Sequence, residues 1–157
     1  MVAASQGGFT VRDQMRKALD FAISKEKEAE AFYKEWAAAA KDPAVHGLFA
    51  ELAGVEHGHM EILSQITPEE MASSANSAAL DLGLSDLLVD VAASPGLNLQ
   101  EAMIVAMKRE ECAVKLYSRL AELNGEARSL FEALAKEEGR HKAKLEAEYD
   151  DHILTEN

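Results

Sequence analysis

The sequence predicts an all-α protein: a four-helix bundle with up-down-down-up topology and a long crossover between the second and third long helices. Four stretches repeat apolar and small residues at three- and four-residue steps, the period of a helix with one buried face. Capping signals mark the ends of these stretches. Residues 49–63 are repeated at 131–145, so the chain contains two copies of one helical hairpin. Two hairpins joined by a long connection give this topology.

The composition fits one domain that spans residues 1–157. With 157 residues, 48% of them hydrophobic, the chain can bury a substantial core. No stretch approaches the ~20 apolar residues of a membrane span, and the N-terminus lacks the apolar segment of a signal peptide. We therefore expect a soluble, cytoplasmic protein that does not bind membranes.

The net charge of −12 disfavours nucleic acids and anionic membranes as partners, since both would be repelled at neutral pH. A solvated acidic surface explains the charge more simply than attraction of cations does, so charge alone decides nothing. Cys112 is the single cysteine, which excludes a disulfide framework and a four-cysteine iron site within these residues. We expect Cys112 to pack as a small apolar side chain.

The first long helix is predicted to begin after Thr10, which caps it together with Asp13, and to run to about Ala40. Its inward stripe is formed by apolar and small residues. Glu26 falls in the middle of that stripe. A buried carboxylate requires a partner, so Glu26 is the first candidate for a functional residue.

The second helix is predicted to begin at Asp42 and Pro43, because proline is favoured at the first helical position, and to end near Ile66. The connection before it is very short, so it must run antiparallel to the first helix. Residues 67–97 lack the helical period, and only 85–93 suggest a short helix. We predict that this segment crosses the length of the bundle.

The third helix is predicted to open with a capping box formed by Asn98 and Glu101, and to run to about Leu123. An Asn-Gly pair then signals a helix end. The fourth helix is predicted from Glu126 to about Asp150. The two hairpins therefore match in order and length.

The repeat at 49–63 and 131–145 carries Glu-x-x-His in both copies. Such spacing places a carboxylate and an imidazole on one helical face, about one turn apart, where both can reach a single ion. Six of the fifteen aligned positions are identical, all on roughly that face: Phe49/Phe131, Leu52/Leu134, Ala53/Ala135, Glu56/Glu138, His59/His141 and Leu63/Leu145. The inward positions agree, whereas the outward positions have diverged.

The first and third helices are also related to each other. Alignment of residues 22–33 with 106–117 leaves four identities, again on the inward face: Ala22/Ala106, Glu26/Glu110, Ala29/Ala113 and Tyr33/Tyr117. The first hairpin thus contributes Glu26, Glu56 and His59. The second contributes Glu110, Glu138 and His141. This pseudo-twofold symmetry predicts one shared site.

One glutamate from each of two helices and Glu-x-x-His from each of the other two is the known pattern of dimetal carboxylate bundles. We predict terminal ligands at Glu26 and Glu110 and bridging ligands at Glu56 and Glu138. His59 and His141 are each predicted to bind one metal. Oxygen and imidazole donors suit iron or manganese, and zinc can also occupy such a site. We favour two iron ions per bundle.

A coincidental arrangement is the alternative, since a lone Glu-x-x-His is more often a surface contact than a metal site. Two such pairs in register with two mid-helix glutamates are much more specific. Four buried carboxylates without cations would be costly. The other three histidines lack this spacing and are expected on the surface: His46, His57 and His152.

These patterns resemble the diiron domain of the rubrerythrins, within the ferritin-like superfamily. The motifs that carry the resemblance are Glu26-x-x-Ala29-x-x-x-Tyr33, Glu56-x-x-His59, Glu110-x-x-Ala113-x-x-x-Tyr117 and Glu138-x-x-His141. The resemblance spans all four helices. It implies a ferritin-like four-helix bundle with a non-haem diiron centre that reacts with hydrogen peroxide or dioxygen, commonly in a homodimer. Electrons would come from an external donor such as a rubredoxin-like protein.

Two features differ from full rubrerythrins. No rubredoxin domain is present in these residues, and Ala113 stands where those proteins carry an extra glutamate three residues after the third-helix ligand. Tyr33 and Tyr117 are expected in the core, where they could also contact the ligands. Glu30 is a candidate for an additional carboxylate near the centre, although a salt bridge is its simpler use.

Two functions compete. The first is an oxidoreductase, in which a diiron centre reduces hydrogen peroxide or dioxygen and an external donor restores its electrons; no catalytic residue beyond the metal ligands is predicted. The second is a ferroxidase that handles or stores iron. A metal-free interaction module is a third alternative, and the buried ligand set argues against it.

Overall fold

The computed structural model describes residues 10–72, 96–123 and 125–154, and in this part of the chain all regular structure is helical. The helices are α1 (Val11–Ala39), α2 (Pro43–Gln65), α3 (Pro68–Ala72), α4 (Leu99–Ala121) and α5 (Arg128–Tyr149), which continues into a π-helical turn at Asp150–Leu154. The predicted all-α fold is confirmed. The short helix predicted at 85–93 lies outside the described residues. No described helix combines the length and apolarity that a membrane span needs.

The predicted caps are present at three helix starts. The Thr10 side chain accepts from the backbone N–H of Asp13, whose carboxylate accepts from the N–H of Thr10. Asn98 caps α4 with an equivalent reciprocal pair. Asp42 accepts from two backbone N–H groups of α2, where Pro43 is the first residue. The start of α5 has no side-chain cap and lies two residues later than predicted.

Contacts between the hairpins establish the topology. Tyr33 of α1 bonds Glu110 of α4, and Tyr117 of α4 bonds Glu26 of α1, so a later residue of one helix meets an earlier residue of the other. Hence α1 and α4 are antiparallel. The same order relates α2 to α5, in which His59 meets Glu138 and His141 meets Glu56. With α2 antiparallel to α1, the arrangement is up-down-down-up, as predicted.

Two apolar clusters fill the bundle, one toward each end. One is built around residues such as Leu19, Leu116 and Phe131, and the other around Phe49 and Leu145. On every long helix, the glutamates and histidines of the predicted site fall between the segments that supply these two clusters. The core therefore holds a polar layer between two apolar ones.

Helix α3 corrects the prediction that no helix follows α2 directly, since the start of the predicted connection forms a helix of five residues. Met71 is buried against α1 and α4 residues of the first cluster. The backbone N–H of Glu126, in the turn before α5, donates to the carbonyl of Glu70 at 2.9 Å. A Cβ at Gly125 would collide with the backbone carbonyls of α3, so this close approach requires glycine.

Candidate metal centre

All six predicted ligands meet in the polar layer at the middle of the bundle. Each is at most 4% exposed: Glu26, Glu56, His59, Glu110, Glu138 and His141. The helical repeat places them there, because residues three apart on α2 and on α5 project from one face toward the same interior. Four carboxylates and two imidazoles thus share a small, buried volume.

Each imidazole presents Nδ1 to three carboxylates from three helices. Nδ1 of His59 lies 3.0 Å from Glu138, 3.2 Å from Glu56 and 3.6 Å from Glu26. Nδ1 of His141 lies 3.0 Å from Glu138, 3.5 Å from Glu56 and 3.7 Å from Glu110. The two rings are nearly parallel, with centroids 5.9 Å apart. The contacts follow the pseudo-twofold symmetry of the sequence repeat.

Glu56 and Glu138 are shared between the two histidines. Glu138 directs Oε1 to His59 and Oε2 to His141, and Glu56 divides its two oxygens between the same rings. Two groups of potential ligand atoms result, each within 4.8 Å of one another: Glu26, Glu56, His59 and Glu138; and Glu56, Glu110, Glu138 and His141. The centre could therefore hold two ions with two carboxylates in common.

The donor set fits a cation better than it fits hydrogen bonds alone. An imidazole Nδ1 carries one hydrogen, which cannot satisfy three converging carboxylates at once. A divalent ion can accept all of these donors, and oxygen with imidazole nitrogen suits iron, manganese or zinc. The residues present thus fit two divalent ions.

The pKa values of the imidazoles reflect the surrounding negative charge. Burial lowers the pKa of His141, but hydrogen bonds with Glu110 and Glu138 outweigh it and raise that pKa to about 12. Burial likewise lowers the pKa of His59, whereas its hydrogen bonds with Glu138 and Glu26 raise it far above the ordinary value. Both rings therefore bind protons strongly.

The carboxyl groups divide into two kinds. Burial raises the pKa of Glu138 to about 8, and burial together with hydrogen bonding to Glu26 raises the pKa of Glu56 well above its ordinary value. Burial also raises the pKa of Glu26 and of Glu110, but hydrogen bonds with the neighbouring carboxyl and imidazole groups outweigh it and leave both values lowered. These directions favour the protonated form of the two shared carboxyls and the ionised form of the two unshared ones.

Two buried tyrosines support the unshared carboxylates across the hairpins. Tyr33 donates its hydroxyl to Glu110 at 2.5 Å, and Tyr117 donates to Glu26. Burial is the main cause that raises the pKa of both tyrosines well above the ordinary value, and the nearby negative charge raises it further. They keep their protons near neutral pH and act as fixed donors, so each hairpin orients a carboxylate of the other.

A pocket between α1 and α4 leads to the centre. It occupies about 560 Å³ including its open mouth, and its wall is mainly apolar: Phe21, Ala29, Ala113 and Leu116. It reaches all four carboxylates. Lys25 and Arg109 also line it, the first paired with Glu28 at 3.0 Å and the second lying over the Phe32 ring. Cys112 is half-buried in the same wall, where burial raises the pKa of its thiol.

Glu30 and the remaining histidines lie outside this centre. Glu30 is ion-paired with Lys34 at 2.5 Å and with the exposed His57 at 3.1 Å, which corresponds to the simpler of its two predicted uses. His46 is exposed and contacts a carbonyl of α1. His152 is half-buried, not fully on the surface as predicted, and pairs with Glu148 at 2.6 Å.

Sequence reasoning missed Glu137. One of its carboxylate oxygens lies 3.1 Å from Nε2 of His59, on the opposite side of the ring from the other carboxylates. A signal was available, because Glu137 aligns with Val55 in the repeat. A charged residue beside a ligand in only one of the two copies marks a difference between them.

The rubrerythrin family model matches residues 17–149, a span that includes all six residues of the centre. No curated protein and no solved structure matches the chain. Proteins of the matched family bind diiron centres and have redox or iron-handling roles. Because the match extends over most of the chain and the bundle has the expected helices and buried carboxylate–histidine cluster, this protein belongs to the rubrerythrin family.

Proposed function

We propose that the protein is a non-haem diiron oxidoreductase that reduces hydrogen peroxide with electrons from an external donor. The observation that carries the proposal is the sharing of Glu56 and Glu138 between two imidazoles. That sharing supports a centre of two adjacent ions in preference to one isolated ion. Two ferrous ions held there would supply both electrons that cleavage of a peroxide O–O bond consumes.

The contacts support one role for each residue. Glu56 and Glu138 would be shared by the two ions, since each has one oxygen near each ring. Glu26 lies near His59, and Glu110 lies near His141. Each would therefore be a terminal ligand of one ion. The tyrosine donors hold the terminal carboxylates in place without losing their protons.

The pocket supports access of a small oxidant. Its mainly apolar wall suits a small uncharged oxidant, and its mouth admits small molecules. Peroxide reduction also consumes two protons. Because the buried tyrosines retain theirs, these protons come from solvent by way of the pocket or of the carboxyl groups at its end.

An external donor is needed because Cys112 alone can form neither an iron–sulfur site nor a dithiol within these residues. A rubredoxin-like protein is the donor that the family resemblance suggests. We further propose a homodimer in the cytoplasm, and a solution mass of two chains would support this assembly. A mass of a dozen or more chains would instead support a storage cage.

Stopped-flow mixing of the anaerobic, iron-loaded protein with each oxidant tests the proposal. We expect hydrogen peroxide to oxidise the ferrous protein faster than dioxygen does at equal concentration. Turnover should begin only when a reduced electron-transfer partner is added. Faster oxidation by dioxygen would refute the peroxidase assignment.

A ferroxidase or iron-handling role is the second candidate, and Ala113 is the observation that favours it. Ala113 lines the pocket, where full rubrerythrins are expected to carry an additional glutamate. Under this alternative, dioxygen is the faster oxidant, and repeated additions of ferrous iron yield more ferric iron per chain than two ions.

A further inference from the structure

Glu137 lies on α5 beside Glu138 and faces the outer side of His59. Its oxygen is 3.1 Å from Nε2 of that ring. The Glu137 side chain is 41% exposed, whereas the His59 side chain is 3% exposed. Glu137 therefore joins a fully buried imidazole to the protein surface.

Nε2 of His59 has no other partner in the described part of the chain. The atom is buried, and the contact with Glu137 is short but too bent to count as a hydrogen bond. Nδ1 of the same ring faces Glu26, Glu56 and Glu138. A metal ion at Nδ1 leaves the ring proton on Nε2, which then needs an acceptor. Glu137 is already within reach of that proton.

The second imidazole lacks this contact. Within the described residues, every ion pair of His141 involves Nδ1. The pseudo-twofold symmetry that exchanges α2 with α5 relates His141 to His59 and Val55 to Glu137. Val55 therefore occupies, relative to His141, the position that Glu137 occupies relative to His59. Valine cannot accept a proton, so the two halves of the centre differ at this point.

We propose that Glu137 is a positioning residue that fixes the tautomer and orientation of His59 and makes the two metal positions unequal. A carboxylate that accepts the second ring proton of a ligating histidine makes that histidine a stronger donor, and its loss commonly costs 10–100-fold in affinity. The ion beside His59 is therefore held more tightly than the ion beside His141. This inference rests on the metal assignment proposed above.

Cobalt(II) titration of the metal-free full chain, followed by visible absorption and calorimetry, tests the proposal. The unaltered protein should bind two cobalt ions in two unequal steps. Glu137→Ala should weaken the tighter step about 10–100-fold and change the weaker step less than about threefold. Glu137→Gln should recover part of the loss, since its amide oxygen still accepts a hydrogen bond.

Two further variants separate positioning from general charge effects. Glu146→Ala removes an exposed carboxylate from the same helix and should leave both steps unchanged. Within the described residues, the ion pair of Glu146 is with Lys142. Val55→Glu supplies the missing carboxylate beside His141 and should tighten the weaker step, which brings the two affinities closer together. A role in folding alone would not produce this gain.

Proton NMR of the cobalt-loaded protein provides a readout that a merely structural role would not change. A paramagnetically shifted Nε2–H signal of His59 should exchange slowly with solvent in the unaltered protein and rapidly in Glu137→Ala. Uptake of fewer than two cobalt ions by the unaltered protein would refute the metal assignment itself. Uptake of two ions, with both affinities of Glu137→Ala within about twofold of the unaltered protein, would refute only the role of Glu137.

Discussion

Metal binding should release about four protons per chain at pH 7 when two divalent ions enter the centre. Metal ligands must be deprotonated, so protons held by the ligands are displaced. His59 and His141 each hold one, since their pKa values lie far above 7. Burial and hydrogen bonding to Glu26 also raise the pKa of Glu56, so we assign one proton to it. Glu138, with a pKa raised to about 8, is about nine-tenths protonated at this pH.

Charge balance gives the same number. Without metal, the two ionised carboxylates, Glu26 and Glu110, are balanced by two imidazolium rings, while Glu56 and Glu138 are neutral. With two divalent ions, all four carboxylates are ionised and both rings are neutral. The buried centre is therefore electrically neutral in both states, and four protons are exchanged for four positive charges. A buried site disfavours any state with a net charge.

Calorimetry in buffers of different ionisation enthalpy measures the number, because the observed binding enthalpy changes with the buffer in proportion to the protons released. A Glu56→Ala/Glu138→Ala double variant corrects for metal ions bound elsewhere on the acidic surface. At pH 9 the number should fall to about three, since Glu138 is then mostly ionised. With ordinary pKa values, binding at pH 7 would release only about half a proton in total. A result below about two protons would therefore refute the assigned protonation of the centre.

Three further predictions concern ligands, tyrosines and pH. Glu138→Ala should lose both ions, because the two oxygens of Glu138 face different rings. His59→Ala should weaken the binding of mainly one ion. Elemental analysis that finds two tightly bound irons in Glu138→Ala would contradict the bridging role. Tyr117→Phe leaves a buried carboxylate short of a donor and should cost about 1.5–3 kcal/mol of folding stability, or about 3–12 °C in Tm. As a control, Tyr149→Phe removes a bond to the exposed Gln100, the one hydrogen bond of this hydroxyl among the described residues, and should change Tm little. The metal-free protein should lose stability as the pH rises from about 6.5 to 8, because the folded-state pKa values of Glu138 and His141 are raised. The stability contributed by a group with a raised pKa is fully present below its unfolded-state pKa and is lost as the pH rises through its folded-state pKa. A Tm that rises over this pH range in a series of thermal melts would contradict this.

The sequence could predict features that depend on local spacing. Helix caps such as Thr10 with Asp13 are separated by three residues, so their chemistry is visible in the chain itself. The convergence of the six predicted ligands was also predictable, because the hairpin repeat and the helical period together place Glu-x-x-His pairs on facing surfaces. Periodicity and repetition are sufficient for these features.

Contacts across the hairpins were beyond this reasoning. Tyr33 aligns with Tyr117, but spacing along α1 does not reveal that its hydroxyl reaches Glu110 on α4. The contact of Glu137 with His59 likewise depends on how α5 packs against α2. Helix α3 escaped detection because five residues are too few to establish a period.

The cost of burying the six polar side chains argues that the centre exists for function. Replacement of buried ionic groups by apolar residues of similar volume is often neutral or stabilising, so folding alone does not require this layer between two apolar clusters. The repeat has kept the layer in both hairpins and has diverged around it. On the α1–α4 side, Ala113 lines the pocket through which an oxidant would approach. On the α2–α5 side, Glu137 contacts one of the two rings within the described residues. Choice of oxidant and inequality of the two ions should therefore be controlled from opposite sides of the centre, by residues outside the shared motif.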